Sequence, residues 1–106
     1  MAVAQFYQND TIPFSVDVTE MINEIGALTA VVVEFSQNKT TIVKFREPIA
    51  DGYSALTVNG NVYSGKILSA STAVMRGNYD IEITGITATD ERKGSAPFMT
   101  ILTQST

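Results

Sequence analysis

Few residues in this chain are placed to do chemistry. Asp80 and Glu82 alternate to one side of the segment Gly77-Asn78-Tyr79-Asp80-Ile81-Glu82-Ile83-Thr84. Two neighbouring carboxylates suit carboxylate-only hydrolysis or calcium binding. Calcium loops, however, gather their oxygens on irregular backbone, whereas these two sit in a regular alternation, as on a solvated sheet face. Asp17, Glu34 and Asp51 add no ligand-like spacing. Asp90-Glu91-Arg92-Lys93 mixes both signs within four residues and reads as an exposed loop, where Arg92 and Lys93 would be free to meet another subunit. Tyr79, just after Gly77, is either a ligand-stacking ring or a tyrosine corner. The corner reading puts its ring inside and its hydroxyl on nearby backbone. Phe6, Tyr7, Tyr53 and Tyr63 could together form an aromatic platform for sugar.

The missing residue types narrow the choice further. The chain has no histidine and no cysteine. That removes the commonest general base, the commonest metal ligand, disulfides and thiolate metal sites. Serines occur without a histidine to activate them and without a G-x-S-x-G elbow. No G-x-G-x-x-G or phosphate-binding loop is present. Asn9-Asp10-Thr11 and Asn38-Lys39-Thr40 match the glycosylation pattern. The expectation is a protein that is not an enzyme and carries no cofactor and no metal.

Composition agrees with a globular binding or structural part. The 106 residues suffice for a single domain, 1–106, and are 44% hydrophobic and 17% charged. Net charge is −4, and the seven Lys and Arg are scattered, so neither nucleic acid nor an anionic membrane is an expected partner. Met1-Ala2-Val3-Ala4-Gln5 lacks the basic and apolar regions of a signal peptide, so cytoplasmic synthesis is expected. The longest apolar run, residues 30–33, is far too short to span a membrane.

The elements that would position these residues are mostly strands. Residues 10–18 alternate, with Ile12, Phe14, Val16 and Val18 on one face; Pro13 marks a sheet edge. Residues 3–8 are a short strand or an arm. Residues 19–26 change to helical spacing through Met21, Ile22 and Ile25, with Thr19 as N-cap and Gly26 as stop. Residues 28–36 are β-branched and continuous, as in a central strand covered on both faces for part of its length. They form a hairpin with residues 40–46 across Ser36-Gln37-Asn38-Lys39. Residues 47–53 are a loop. Asn59-Gly60 fits a type I′ turn between strands 54–58 and 61–65, with Leu56 and Val58 inward. Residues 69–76 lead, with Ala73, Val74 and Met75 tucked under, into the strand 78–86. Residues 87–95 form a polar loop, and residues 97–103 close the chain as an edge strand begun by Pro97.

Seven or eight short strands, with turns every eight to twelve residues and a short helical turn near residues 20–25, indicate an all-β protein. The fold expected is an antiparallel immunoglobulin-like β-sandwich. Three segments resemble the immunoglobulin-like module of tailed-phage baseplate and tail proteins. They are Asn9-Asp10-Thr11-Ile12-Pro13-Phe14, the stretch from Leu68-Ser69-Ala70-Ser71-Thr72 through Gly77-Asn78-Tyr79-Asp80-Ile81-Glu82-Ile83, and the closing strand 96–103. The resemblance implies a virion component, a non-catalytic adaptor docked to other protein subunits and open to self-association. Pro13 and Pro97, which mark edges, and Arg92 and Lys93 are the residues expected to meet partners. A carbohydrate-binding module built on Phe6, Tyr7, Tyr53 and Tyr63 is the alternative.

Overall fold

Residues 4–103 are described by a computed structural model of the chain. Nine strands and two short helices occur in the order β1 (Ala4–Tyr7), β2 (Ile12–Asp17), α1 (Thr19–Ile25), β3 (Ala30–Gln37), β4 (Thr40–Glu47), β5 (Ser54–Ala55), β6 (Thr57–Asn59), β7 (Val62–Ile67), α2 (Ser69–Thr72), β8 (Gly77–Ile86) and β9 (Glu91–Leu102). They form two sheets, β1-β9-β8-β3-β4-β5 and β2-β7-β6. Alternating side chains explain how the sheets meet. Ile12, Phe14 and Val16 of β2 are buried while Pro13, Ser15 and Asp17 are exposed. On the facing sheet Val31, Val33, Phe35, Phe45, Tyr79 and Ile81 are buried. Residues 30–33 are buried on both faces, as their continuous apolar run requires.

At the centre lies a group of phenylalanines. Phe14 crosses between the sheets to Phe35 and Phe45, with ring centroids 5.0 and 4.7 Å away in edge-to-face geometry. Phe98 meets Phe35 at 5.2 Å. Gly65 of β7 makes room for this packing, since a Cβ there would lie 2.8 Å from the Phe14 ring. Each such aromatic pair contributes about 1 kcal/mol beyond the area it buries.

Tyr79 forms the expected tyrosine corner. Its ring is buried, and its hydroxyl accepts the Arg76 N–H at 2.9 Å. The chain turns into β8 at Gly77, where φ is +97°. A neighbouring corner is held by Thr72, fully buried, whose hydroxyl donates to the Asp10 carbonyl at 2.6 Å.

The two helices join sheets at opposite ends. In α1, Gly26 supplies the stop, its N–H donating to Ile22. The N-cap position is Val18, not Thr19, and its side chain makes no capping bond; one residue earlier the Asp17 carboxylate accepts the Thr19 N–H at 2.9 Å and the Thr19 hydroxyl. These bonds hold the Asp17 carboxyl below its ordinary pKa. Met21 and Leu28 pack on Gly85 of β8, where a Cβ would lie 3.0 to 3.1 Å from them.

Several details differ from the sequence reading. Residues 54–58 are not one strand. Leu56 is buried between β5, which pairs parallel with β4, and β6, which pairs with β7; Val58 is left exposed. The β6–β7 turn centres on Gly60-Asn61, with positive φ at Gly60 alone, the pattern of a type II′ turn. Positive φ at two successive residues, the mark of type I′, occurs instead at Asn38 and Lys39 in the β3–β4 turn. Residues 69–72 form a helical turn, and beyond it Met75 is buried while Ala73 and Val74 face solvent. Thr84 points to the outer face yet is buried, flanked in register by Val32 and Lys93. The sandwich is antiparallel except at the two edges of the large sheet, where β1–β9 and β4–β5 are parallel.

Strand order makes the assignment. Sheets of β2-β7-β6 and β9-β8-β3-β4-β5, joined by a tyrosine corner ahead of β8, are those of a variable-type immunoglobulin-like sandwich.

Two substitutions test these turns. Lys39→Gly relieves a left-handed residue and is expected to stabilise by about 1 kcal/mol, raising Tm by about 4 °C in a thermal melt. Tyr79→Phe leaves the Arg76 N–H without its acceptor and is expected to lower stability by about 1 kcal/mol in urea unfolding.

Candidate docking edge

The feature with the clearest capacity to bind is the first half of β9. Residues 87–95 are not one polar loop, since residues 91–95 belong to β9. The turn spans only residues 87–90, and Glu91, Arg92 and Lys93 pair in register with Ile86, Gly85 and Thr84 of β8. β1 covers β9 only from Met99 to Leu102. Among the described residues, no strand lies beside residues 91–97 on the side away from β8. Pro97 therefore lies within β9, not at its start, although on an unpaired stretch of it. Pro13 does lie on an edge strand, β2.

Hydrogen bonds at the ends of the strand fix which backbone groups face outward. In an antiparallel pair, both polar groups of a residue point to the same neighbour, and successive residues alternate. The Thr87 N–H donates to the Asp90 carbonyl at 2.9 Å, so this pair is bonded across the hairpin. Ile86 must then face away from β9, and its carbonyl does accept the Thr29 N–H at 2.7 Å from the β3 side. Continuing the alternation, Arg92, Gly94 and Ala96 bond to β8. Glu91, Lys93 and Ser95 turn their N–H and C=O groups out of the sheet. Pro97 falls on the outward phase too, where its missing N–H costs no ladder bond. A bulge follows at Phe98, between Tyr79/Asp80 of the partner strand. It lets Phe98 and Met99 reach the core in succession.

The side chains Arg92 and Lys93 are engaged within the chain. The Arg92 guanidinium grips Glu24 of α1 with two nitrogens, at 2.5 and 3.4 Å. Its third nitrogen donates to the Lys93 carbonyl at 3.2 Å, one of the outward-facing groups. Lys93 Nζ lies 3.7 Å from Glu82. Both ion pairs are about half exposed, so each contributes at most about 1 kcal/mol.

On the outer face of the large sheet, Asp80 and Glu82 do come together with another carboxylate. Glu34 stands directly opposite Glu82, with Lys44 on its other side. With Ser36, Lys39, Thr41 and Ser95 these acids line a shallow depression of about 410 Å³. Among the described residues, no group of three acidic side chains is arranged to hold a metal ion. The four aromatics are dispersed. Phe6 on β1 and Tyr63 on β7 pack against the core. Tyr53, beside the opposite edge of the large sheet from β1, lies under Lys44 Nζ at 4.5 Å. Tyr7 is exposed on β1.

No protein family matches the sequence, and no curated protein matches it. Among solved structures, the V domain of amphioxus IgVJ-C2 aligns with a TM-score of 0.44 and 15% identity, over 93% of this chain and 99% of that one.

Two partial signals of the docking edge, Pro97 and the mixed charges, are visible in the residues themselves, but the strand is not. Residues 91–97 are exposed on both faces, so they carry no apolar alternation to reveal a strand. Proline substitution checks the outward phase. Ser95→Pro is expected to leave the β8 ladder intact, whereas Ala96→Pro, one residue on, should destabilise by about 2 kcal/mol more in thermal melts.

Proposed function

We propose that this domain is a non-catalytic docking module, a structural or adaptor part that binds another protein chain along residues 91–97. One observation carries the reading: the outward N–H and C=O groups of Glu91, Lys93 and Ser95 have no strand beside them among the described residues. An unpaired edge is a template for an added strand, and backbone bonding of this kind needs no catalytic residue. Immunoglobulin-like sandwiches serve many functions, so the site and not the fold is the argument.

The setting we propose is the tail or baseplate of a tailed phage, with the chain made in the cytoplasm and carried in the virion. This rests on the residue pattern of segments 9–14, 68–83 and 96–103. Net negative charge and scattered basic residues support protein partners over nucleic acid or membrane.

The test uses tagged chains expressed during phage assembly. Wild type is expected to stay with purified tails, and Ser95→Pro to be lost from them while keeping its circular dichroism spectrum. Equal retention of the two would remove the edge as the docking site, and absence of wild type from tails would overturn the virion setting.

A further inference from the structure

The docking edge is closed by its own side chain. Arg92 projects to the inner side of β9, where α1 packs against Gly85, and Glu24 of that helix holds it. From there the guanidinium reaches the outward carbonyl of Lys93. An incoming strand would need that carbonyl as an acceptor. Pro97 denies it a donor four residues later, two places on in the outward series. Short lengths protect the other edges, β1 with four residues, β5 with two and β6 with three, and Pro13 interrupts β2.

The charges beside the guarded carbonyl are self-complementary. Glu91 and Lys93 are successive outward-facing residues of opposite sign. Two copies brought edge to edge and antiparallel can place Glu91 of each opposite Lys93 of the other. Four backbone hydrogen bonds and two opposite-charge cross-strand pairs then form about a two-fold axis. The alternative register centred on residue 93 sets Lys93 against Lys93, and sliding further sets Glu91 against Pro97, which has no N–H. In the favoured register Arg92 faces Arg92 across the axis, so Arg92 opposes the pairing twice, by occupying the carbonyl and by like-charge repulsion.

Resting on the docking reading, we infer that the residue 91–93 edge fits a second copy of this chain and that Arg92, clamped by Glu24, is the latch that keeps the two apart. Releasing the latch joins two six-stranded sheets into one. Glu24 belongs to α1, so whatever displaces that helix also opens the edge.

Sedimentation velocity over a range of concentrations tests this. Wild type is expected to be monomeric, and Arg92→Ala to dimerise at least about tenfold more tightly. Glu24→Gln should act in the same direction but more weakly, because it frees the guanidinium from its clamp yet leaves Arg92 facing Arg92, and it guards against misreading a folding defect of the first variant. Adding Glu91→Lys to Arg92→Ala is expected to abolish the dimer, and adding Lys93→Glu to that pair to restore it. Arg92→Ala and Glu24→Gln that both remain folded and monomeric would overturn the inference, as would a dimer indifferent to Glu91→Lys. Either result leaves the docking reading standing if Ser95→Pro is still lost from tails.

Discussion

The two sheets of this domain are pinned by phenylalanine packing across the gap between them. Antibody domains fasten the same gap with a cystine against a tryptophan, the second cysteine lying two residues after the tyrosine corner. Here that position is Ile81, and Phe14, Phe35 and Phe45 interlock instead. The arrangement depends on Gly65, because any side chain there would collide with the Phe14 ring. Everything else hangs from this centre: β2 is placed over β3 and β4, the corner at Tyr79 aims β8 along β3, and β8 in turn carries β9.

Much of this was legible from the residues because one face of most strands is dry. Ile12, Phe14 and Val16 alternate with polar neighbours, so the strand and its inward face could be read together. Tyr79 after Gly77 carried enough local meaning to place its hydroxyl on backbone. Strands wet on both faces were not legible, since burial imposes no period on them; residues 91–97 are the clearest case. Turn chemistry misled in one place. Asn-Gly is the usual pair for a type I′ turn, yet the register of β6 with β7 put Gly60 at the first central position. The doubly left-handed turn went to Asn38-Lys39, where the long β3–β4 ladder on either side overrides the preference of lysine.

The candidate site illustrates the same division. Arg92, Lys93, Pro13 and Pro97 could be marked as edge or contact residues from type alone. Their relations could not, since Glu24 is 68 positions from Arg92 in sequence and reaches it only because α1 folds over the end of β8. The prolines also mean something different once placed. They interrupt outward-facing backbone, and so they limit where a strand can add. The carboxylates of the outer face, though gathered, are interleaved with Lys44, Lys39 and Lys93, which is how an exposed sheet accommodates like charges opposite each other.

The parallel pairing of β1 with β9 has a mechanical consequence. Both strands run the same way, and they lie next to the beginning and the end of the described chain. Tension applied through those two ends would slide β1 along β9 instead of peeling it away. The bonds joining residues 4–7 to 99–102 would be loaded together, and none could break without its neighbours sharing the force. A domain tethered at both ends would thus resist traction best along the line on which its own chain enters and leaves.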